Sequence, residues 1–176
     1  KISAADLYDF LLSWAKETNS DFKNIIENNR EMLLKILDIG RSGDKPRKDL
    51  IYAKQIVDFI SYFFDETFKI TETAPDNVSK EDEKAILAAY LKTYNHDDNQ
   101  EEWFEKIRII ADTLGYARKP KDYKKNPDLY KGHVGDVSTV IRLAIVGRTQ
   151  SPDVYEIQQI LGEAKTIERI KKRLNA

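Results

Sequence analysis

The sequence predicts an all-α protein of two packed helical subdomains, residues 1–74 and 75–176. Three observations carry that prediction. Apolar residues recur at i, i+3, i+4 and i+7 along most of the chain, the spacing that lays one stripe along a helix. Residues that open helices (Ser, Asp, Asn) and residues that close them (Gly) stand at the ends of these stripes. No stretch alternates apolar and polar side chains as a half-buried strand does. The 41% hydrophobic and 34% charged content fits a folded, soluble chain.

Residues 4–16 set Leu7, Phe10, Leu11 and Trp14 on one helical face. Asn19 or Ser20 then caps a second helix, whose apolar face runs Phe22, Ile25, Ile26, Met32, Leu33, Ile36 and Leu37 to a stop near Gly40. Residues 41–48 contain Gly43 and Pro46 and read as a turn, with Arg41, Lys45, Arg47 and Lys48 forming a local positive patch. Asp49 caps a third helix carrying Ile51, Ile56, Phe59, Ile60, Phe63 and Phe64, the expected centre of the first subdomain. Residues 67–78 lack helical periodicity and hold Pro75, Asp76 and Asn77, which makes them the boundary.

Ser79 with Asp82 resembles a capping box in which Asp replaces the usual Glu. The helix it opens carries Ile86, Leu87, Tyr90, Leu91 and Tyr94. After the polar connection 95–100, residues 101–114 form a helix with Trp103, Ile107, Ile110, Ala111 and Leu114, closed by Gly115. Pro120 and Pro127 forbid one continuous helix over 116–131. In that stretch Arg118, Lys119, Lys121, Lys124, Lys125 and Lys131 are interleaved with Tyr116, Tyr123 and Tyr130. Asp136 or Ser138 starts the helix that leads into Arg142 and ends at Gly147. Ser151 as N-cap, Pro152 at the first helical position and Asp153 in the first turn open the next one, with Val154, Ile157 and Leu161 on its apolar face. Ile167, Ile170 and Leu174 mark a last amphipathic helix whose Arg169, Lys171, Lys172 and Arg173 are expected on wet faces.

Composition narrows the chemistry. Without cysteine there is no thiol catalysis and no disulfide, and with no signal-peptide pattern in the first twenty residues a cytoplasmic setting is expected. No apolar run approaches a membrane span. The chain does not begin with methionine and starts at what reads as a helix entry, so a fragment of a longer protein is expected. His96 and His133 lie in separate polar loops without helical ligand spacing, and no glycine pattern cradles phosphate. Acidic runs such as Glu81-Asp82-Glu83 fall in helix first turns, where the dipole accounts for them. The chain thus reads as non-catalytic, with no metal. Its net charge of −1 hides an asymmetry: residues 1–116 carry −7 and residues 117–176 carry +6. A basic C-terminal part suits nucleic acid or another acidic partner. By residues alone, two alternatives stay open. The turn after Arg142 is either ordinary architecture or an anion-facing surface, and the tyrosine-rich loop is either solvated cover or a place where phosphates are neutralised and bases stack.

The run VIRLAIVGRTQSPDVYEIQQILGEAKTIERIKKRL resembles the C-terminal end of bacterial glutamyl-tRNA synthetases. There an apolar-Arg segment, a G-R-T turn, a T/S-P dipeptide and an L-G-x-E-x-x-x-x-R-L ending recur. YKKNPDLYKGHVGDVSTVIR and SGDKPRKDLIYAKQIVDFISYFF resemble the version of this family seen in clostridia-like bacteria. The resemblance implies an all-helical, cage-like anticodon-binding region acting as a monomer, with glutamate tRNA as partner and glutamine tRNA left open, and no membrane. It implies ATP and magnesium for charging tRNA in the full-length enzyme, and no cofactor and no activity for this part alone. Carried over by motif, Arg142 lies close to the anticodon with Thr139 one turn before it on the same face, Ser151, Pro152, Asp153 and Val154 match the segment that contacts the second and third anticodon bases, and Arg47 is the candidate reader of the first. Lys121, Lys124, Lys125 and Lys131 would hold phosphates. The alternatives are a helical protein-interaction domain and the similar region of a class I lysyl-tRNA synthetase, against which the GRTQSPDVYE run argues.

Overall fold

In a computed structural model of the protein, residues 2–41 and 53–176 are described. They form ten α-helices, one 3-10 turn and no strand, the all-α class that the periodicity predicts with more helices than the eight it marks out. The chain divides into two compact units, Lys1–Phe68 and Lys69–Ala176.

The first unit contains α1 (Ala4–Thr18), α2 (Ser20–Asn28), α3 (Arg30–Asp38) and α4 (Ala53–Ser61). Ser3 and Asp6 cap α1 reciprocally, each accepting the other's backbone N–H at 3.1 Å. The helix buries Leu7, Tyr8, Leu11 and Ala15, so its inward stripe is rotated from the expected one. Phe10 is 48% exposed, and Tyr8 takes an inner position with its hydroxyl donating to the Ile26 carbonyl at 3.2 Å. The single helix expected over 20–39 breaks at Asn29. The Asn29 side-chain Nδ2 donates to the Ile25 carbonyl at 2.8 Å, satisfying a group that the end of α2 would otherwise leave open. Phe63 and Phe64 lie beyond α4 rather than on it, yet both are buried. Two bonds fold the chain back there, from the Phe63 amide to the Ile60 carbonyl and from the Thr67 hydroxyl to the Ser61 carbonyl. Arg41, expected in a solvent-facing patch, is buried, with its guanidinium on the Ile2 carbonyl at 2.8 Å. Lys45, Arg47, Lys48, Asp49 and Ile51 lie outside the described residues.

In the second unit, α5 (Lys80–Thr93), α6 (Gln100–Thr113), α9 (Val154–Leu161) and α10 (Glu163–Leu174) surround α8 (Val134–Val146). Eight of the thirteen residues of α8 are buried, which is why it reads as apolar nearly all round. The basic loop contributes α7 (Pro120–Lys125) and a 3-10 turn, Pro127–Leu129. Ser79 caps α5 by accepting from the Asp82 amide at 3.0 Å, but Asp82 turns its carboxylate to Tyr116 and Lys131 instead of closing the box. A full box forms between Asn99 and Glu102 at the start of α6. Arg169 is not on a wet face. It is buried, and its guanidinium donates to the Ile145 carbonyl at 2.6 Å in the last turn of α8, where the helix dipole favours a cation. Among the described residues no helix is long and apolar enough to cross a membrane.

Candidate nucleic-acid interface

The start of α8 is fixed one step earlier than either expected cap. His133 is the N-cap: its Nδ1 accepts from the Gly135 amide at 2.9 Å, and Asp136 accepts from the His133 amide at 2.8 Å. This sets the rotation of the helix and so the direction of Arg142, two turns on. Thr139 lies one turn before Arg142 on the same side of α8, but it is not among the residues that line the cavity beside Arg142. Its hydroxyl donates back to the Gly135 carbonyl at 2.8 Å, and the side chain that lies beside Arg142 is Ser138.

Arg142 and Ser138 open into a cavity of about 350 Å³ whose other walls are Gln100, Glu101, Trp103 and Phe104 from α6 and Asp153 and Val154 at the start of α9. The guanidinium Nη1 donates to the Thr149 carbonyl at 3.3 Å, while Nε is buried without a hydrogen-bond partner, as is the Ser138 hydroxyl. Burial pushes the Arg142 pKa down, and the Asp153 carboxylate opposes that shift. Guanidinium stays charged under such a shift, so the cavity holds a cation short of acceptors. The aromatic wall is tied in place by a buried relay. Trp103 Nε1 donates to the Tyr90 hydroxyl at 3.0 Å, and Tyr90 donates to Gln158 Oε1 at 2.5 Å, joining α6, α5 and α9.

The start of α9 differs from expectation. Asp153, not Ser151, is the N-cap, accepting from the Glu156 amide at 3.2 Å, and Pro152 precedes the helix instead of opening it. Ser151 donates its hydroxyl to the Pro152 carbonyl at 2.8 Å. The charged carboxylate two residues on takes the amide instead. The helix start is therefore covered by an acid and is no anion site. Of the carried-over residues, Arg142, Asp153 and Val154 share the cavity; Ser151 and Pro152 precede Asp153 in the chain without lining it, and Arg47 is outside the described residues.

Gly147 ends α8 at φ 81°, the left-handed conformation expected of it. It has a second reason to lack a side chain, because a Cβ there would lie 2.2 Å from the Lys69 carbonyl oxygen. Residues 69–72 run across this turn as a strap. The Thr71 amide donates to the Gly147 carbonyl at 3.1 Å, and Glu72 Oε2 accepts from both the amide and the hydroxyl of Thr149. Those two bonds hold the Glu72 carboxyl below the usual range, with Arg148 adding to the effect.

The basic loop is less of a stacking surface than its tyrosines suggest. Tyr116 is fully buried and donates to Asp82 at 2.9 Å; desolvation, then that carboxylate, pushes its pKa up. Tyr123 packs on the His133 ring at 5.8 Å. Arg118 pairs with Glu105, and Lys131 with Asp82 at 3.0 Å. Lys121, Lys124 and Lys125 remain exposed along α7, with no ion pair among the described residues. Nor does any group of three or more His, Asp or Glu among the described residues form a potential metal site.

Comparison with known proteins places these features. Residues 130–174 match the anticodon binding domain family, a span that includes all of α8, α9 and α10. A protein of Acetivibrio thermocellus named glutamate–tRNA ligase is 60% identical over 174 residues, covering 99% of this chain and 32% of its own length. Proteins of the same name from Clostridium beijerinckii and Sorangium cellulosum are 39% and 36% identical, each over 99% of this chain. The chain spans about a third of the length of these curated relatives.

Proposed function

We propose that the chain belongs to the family of bacterial glutamate–tRNA ligases and is the part that binds the anticodon loop of the tRNA. The observation that carries the reading is the Arg142 cavity: a half-buried guanidinium whose Nε is buried without a partner, walled by aromatic and apolar side chains and bordered by carboxylates. Single-stranded loops are recognised by splaying bases out onto aromatic surfaces and hydrogen-bonding their edges. A base entering the cavity gives its ring acceptors to Arg142, while Asp153, whose Oδ2 takes the Gln100 side-chain amide at 2.5 Å, accepts from an exocyclic amine in place of that amide. Val154 supplies apolar contact, and Ser151 and Pro152 line the approach. Thr139, one turn before Arg142 on α8, is a further proposed contact to the anticodon.

Lys121, Lys124 and Lys125 bind phosphates by charge, and Lys131 adds its half-exposed ammonium while holding the loop to Asp82. Arg47 is the proposed reader of the first anticodon base and decides whether glutamine tRNA is accepted beside glutamate tRNA. The whole protein charges tRNA with glutamate, with ATP and magnesium serving a catalytic part outside these residues. The proposal includes a monomer in the cytoplasm and no activity for this chain alone.

The test is binding of anticodon stem-loops to the chain and to Arg142→Ala. Loss of a base-contacting arginine should cost on the order of 1–3 kcal/mol for the cognate loop and much less for loops of altered anticodon. Equal weakening for every RNA counts against base readout. Charging of neither glutamate nor glutamine tRNA by the full-length protein would sink the activity.

A further inference from the structure

The strap over the Gly147 turn lies outside the match to the anticodon binding domain family, and none of the residues carried over by motif belongs to it. Its bonds converge on one residue. Glu72 Oε2 takes both the amide and the hydroxyl of Thr149 at 2.5 Å, and the Thr149 carbonyl is the acceptor on which Arg142 Nη1 rests at 3.3 Å. Thr71 holds the preceding turn through the Gly147 carbonyl, with its amide at 3.1 Å and its hydroxyl at 3.4 Å. A carboxylate accepting two bonds from one residue leaves that residue little freedom of rotation. The Thr149 carbonyl is thereby aimed, and with it the guanidinium.

We propose that Glu72 is a positioning residue for Arg142, its carboxylate fixing the Thr149 carbonyl that holds the guanidinium toward the cavity. The proposal rests on the reading of that cavity as a base-binding site. It runs against simple electrostatics. Glu72 is exposed, and removal of a surface carboxylate from an RNA-binding chain should by charge alone strengthen binding to every polyanion. If Glu72 positions Arg142, its removal weakens binding, and only to the loop that Arg142 reads.

The experiment is a double-mutant cycle on the chain with Glu72→Ala and Arg142→Ala, read as affinity for a labelled anticodon stem-loop of glutamate tRNA and for the same loop with a substituted anticodon. Glu72→Ala is expected to lower the preference for the cognate loop by about fivefold, a charge-assisted pair discounted for its exposure. In the Arg142→Ala background the same change should alter the preference no further. Glu72→Gln, which keeps an acceptor oxygen, should restore most of it. Tighter binding of both RNAs with unchanged preference overturns the proposal, and so does an equal effect of Glu72→Ala with and without Arg142. If the unaltered chain shows no preference between the loops, the base-binding reading fails and this proposal falls with it. A clear preference that Glu72→Ala leaves intact removes this proposal alone.

Discussion

Replacing Gly147 by alanine strikes the α8 terminus and the strap together. At φ 81° an L-residue is strained by roughly 1–2 kcal/mol. The added Cβ would also lie 2.2 Å from the Lys69 oxygen, 3.0 Å from its carbonyl carbon and 3.2 Å from the Ile70 Cα. All three are backbone atoms, so no rotamer change relieves the contact. The strap must retreat by roughly 1 Å to restore ordinary packing distances. That retreat breaks the 3.1 Å bond from the Thr71 amide to the Gly147 carbonyl, for about 1 kcal/mol more. The expected total is about 2–3 kcal/mol. Urea unfolding in a Trp14→Phe background reads it, because the remaining indole, Trp103, belongs to the second unit. A loss under about 0.5 kcal/mol at unchanged m-value would refute the reasoning, because an unaltered strap cannot coexist with a Cβ at that position.

Other perturbations separate the remaining parts of the site. Tyr90→Phe removes the central hydroxyl of the relay and strands the Trp103 indole N–H, which should cost about 1–3 kcal/mol and shift Trp103 emission; an unchanged urea midpoint would show the relay to be idle. Lys121, Lys124 and Lys125 all changed to Gln should weaken every RNA alike and reduce the salt slope by about 0.7 for each phosphate no longer neutralised; a selective effect on the cognate loop would contradict a phosphate role. Glu72 has a folded-state pKa below its ordinary value, so its hold on Thr149 is complete above the unfolded range near 4.3 and disappears as pH falls through the lower folded value. An NMR titration of the Thr149 amide should show its midpoint below that range, and a midpoint at or above it would contradict the clasp.

Helix identity is legible in the sequence because periodicity needs no knowledge of partners. Which face points inward is less so: Tyr8 and Phe10 lie on opposite borders of the same α1 stripe, and only the packing of α2, α3 and α4 selects Tyr8. Caps are misread where the chain offers two in a row. Ser151 and Asp153 are both good N-caps, and local preference does not choose the register between them. Arg142 is found through motif resemblance, yet its cavity is not, because Gln100, Trp103 and Phe104 come from some forty residues upstream and carry no local sign of sharing a wall with it. Glu72 is hidden for the same reason, 77 residues from Thr149. Arg169 shows the converse error, in which a cation within a basic run reads as wet although a helix end nearby has a carbonyl to offer it.

The neck of the basic loop has a consequence for how this region can vary. Three backbone bonds stitch its two sides, from the Lys131 amide to the Gly115 carbonyl at 3.0 Å, from Ala117 to Gly132 at 2.9 Å and from Val134 to Ala117 at 2.8 Å. With the ends fastened, residues 118–130 form an Ω-like excursion whose length is decoupled from the helices on either side. Extra residues inserted near Asn126 would add a closure cost that grows only with the logarithm of their number. The register of α8, set by His133 below the stitch, would not feel them. Loop length and lysine number are thus free to drift while the Arg142 cavity keeps its geometry.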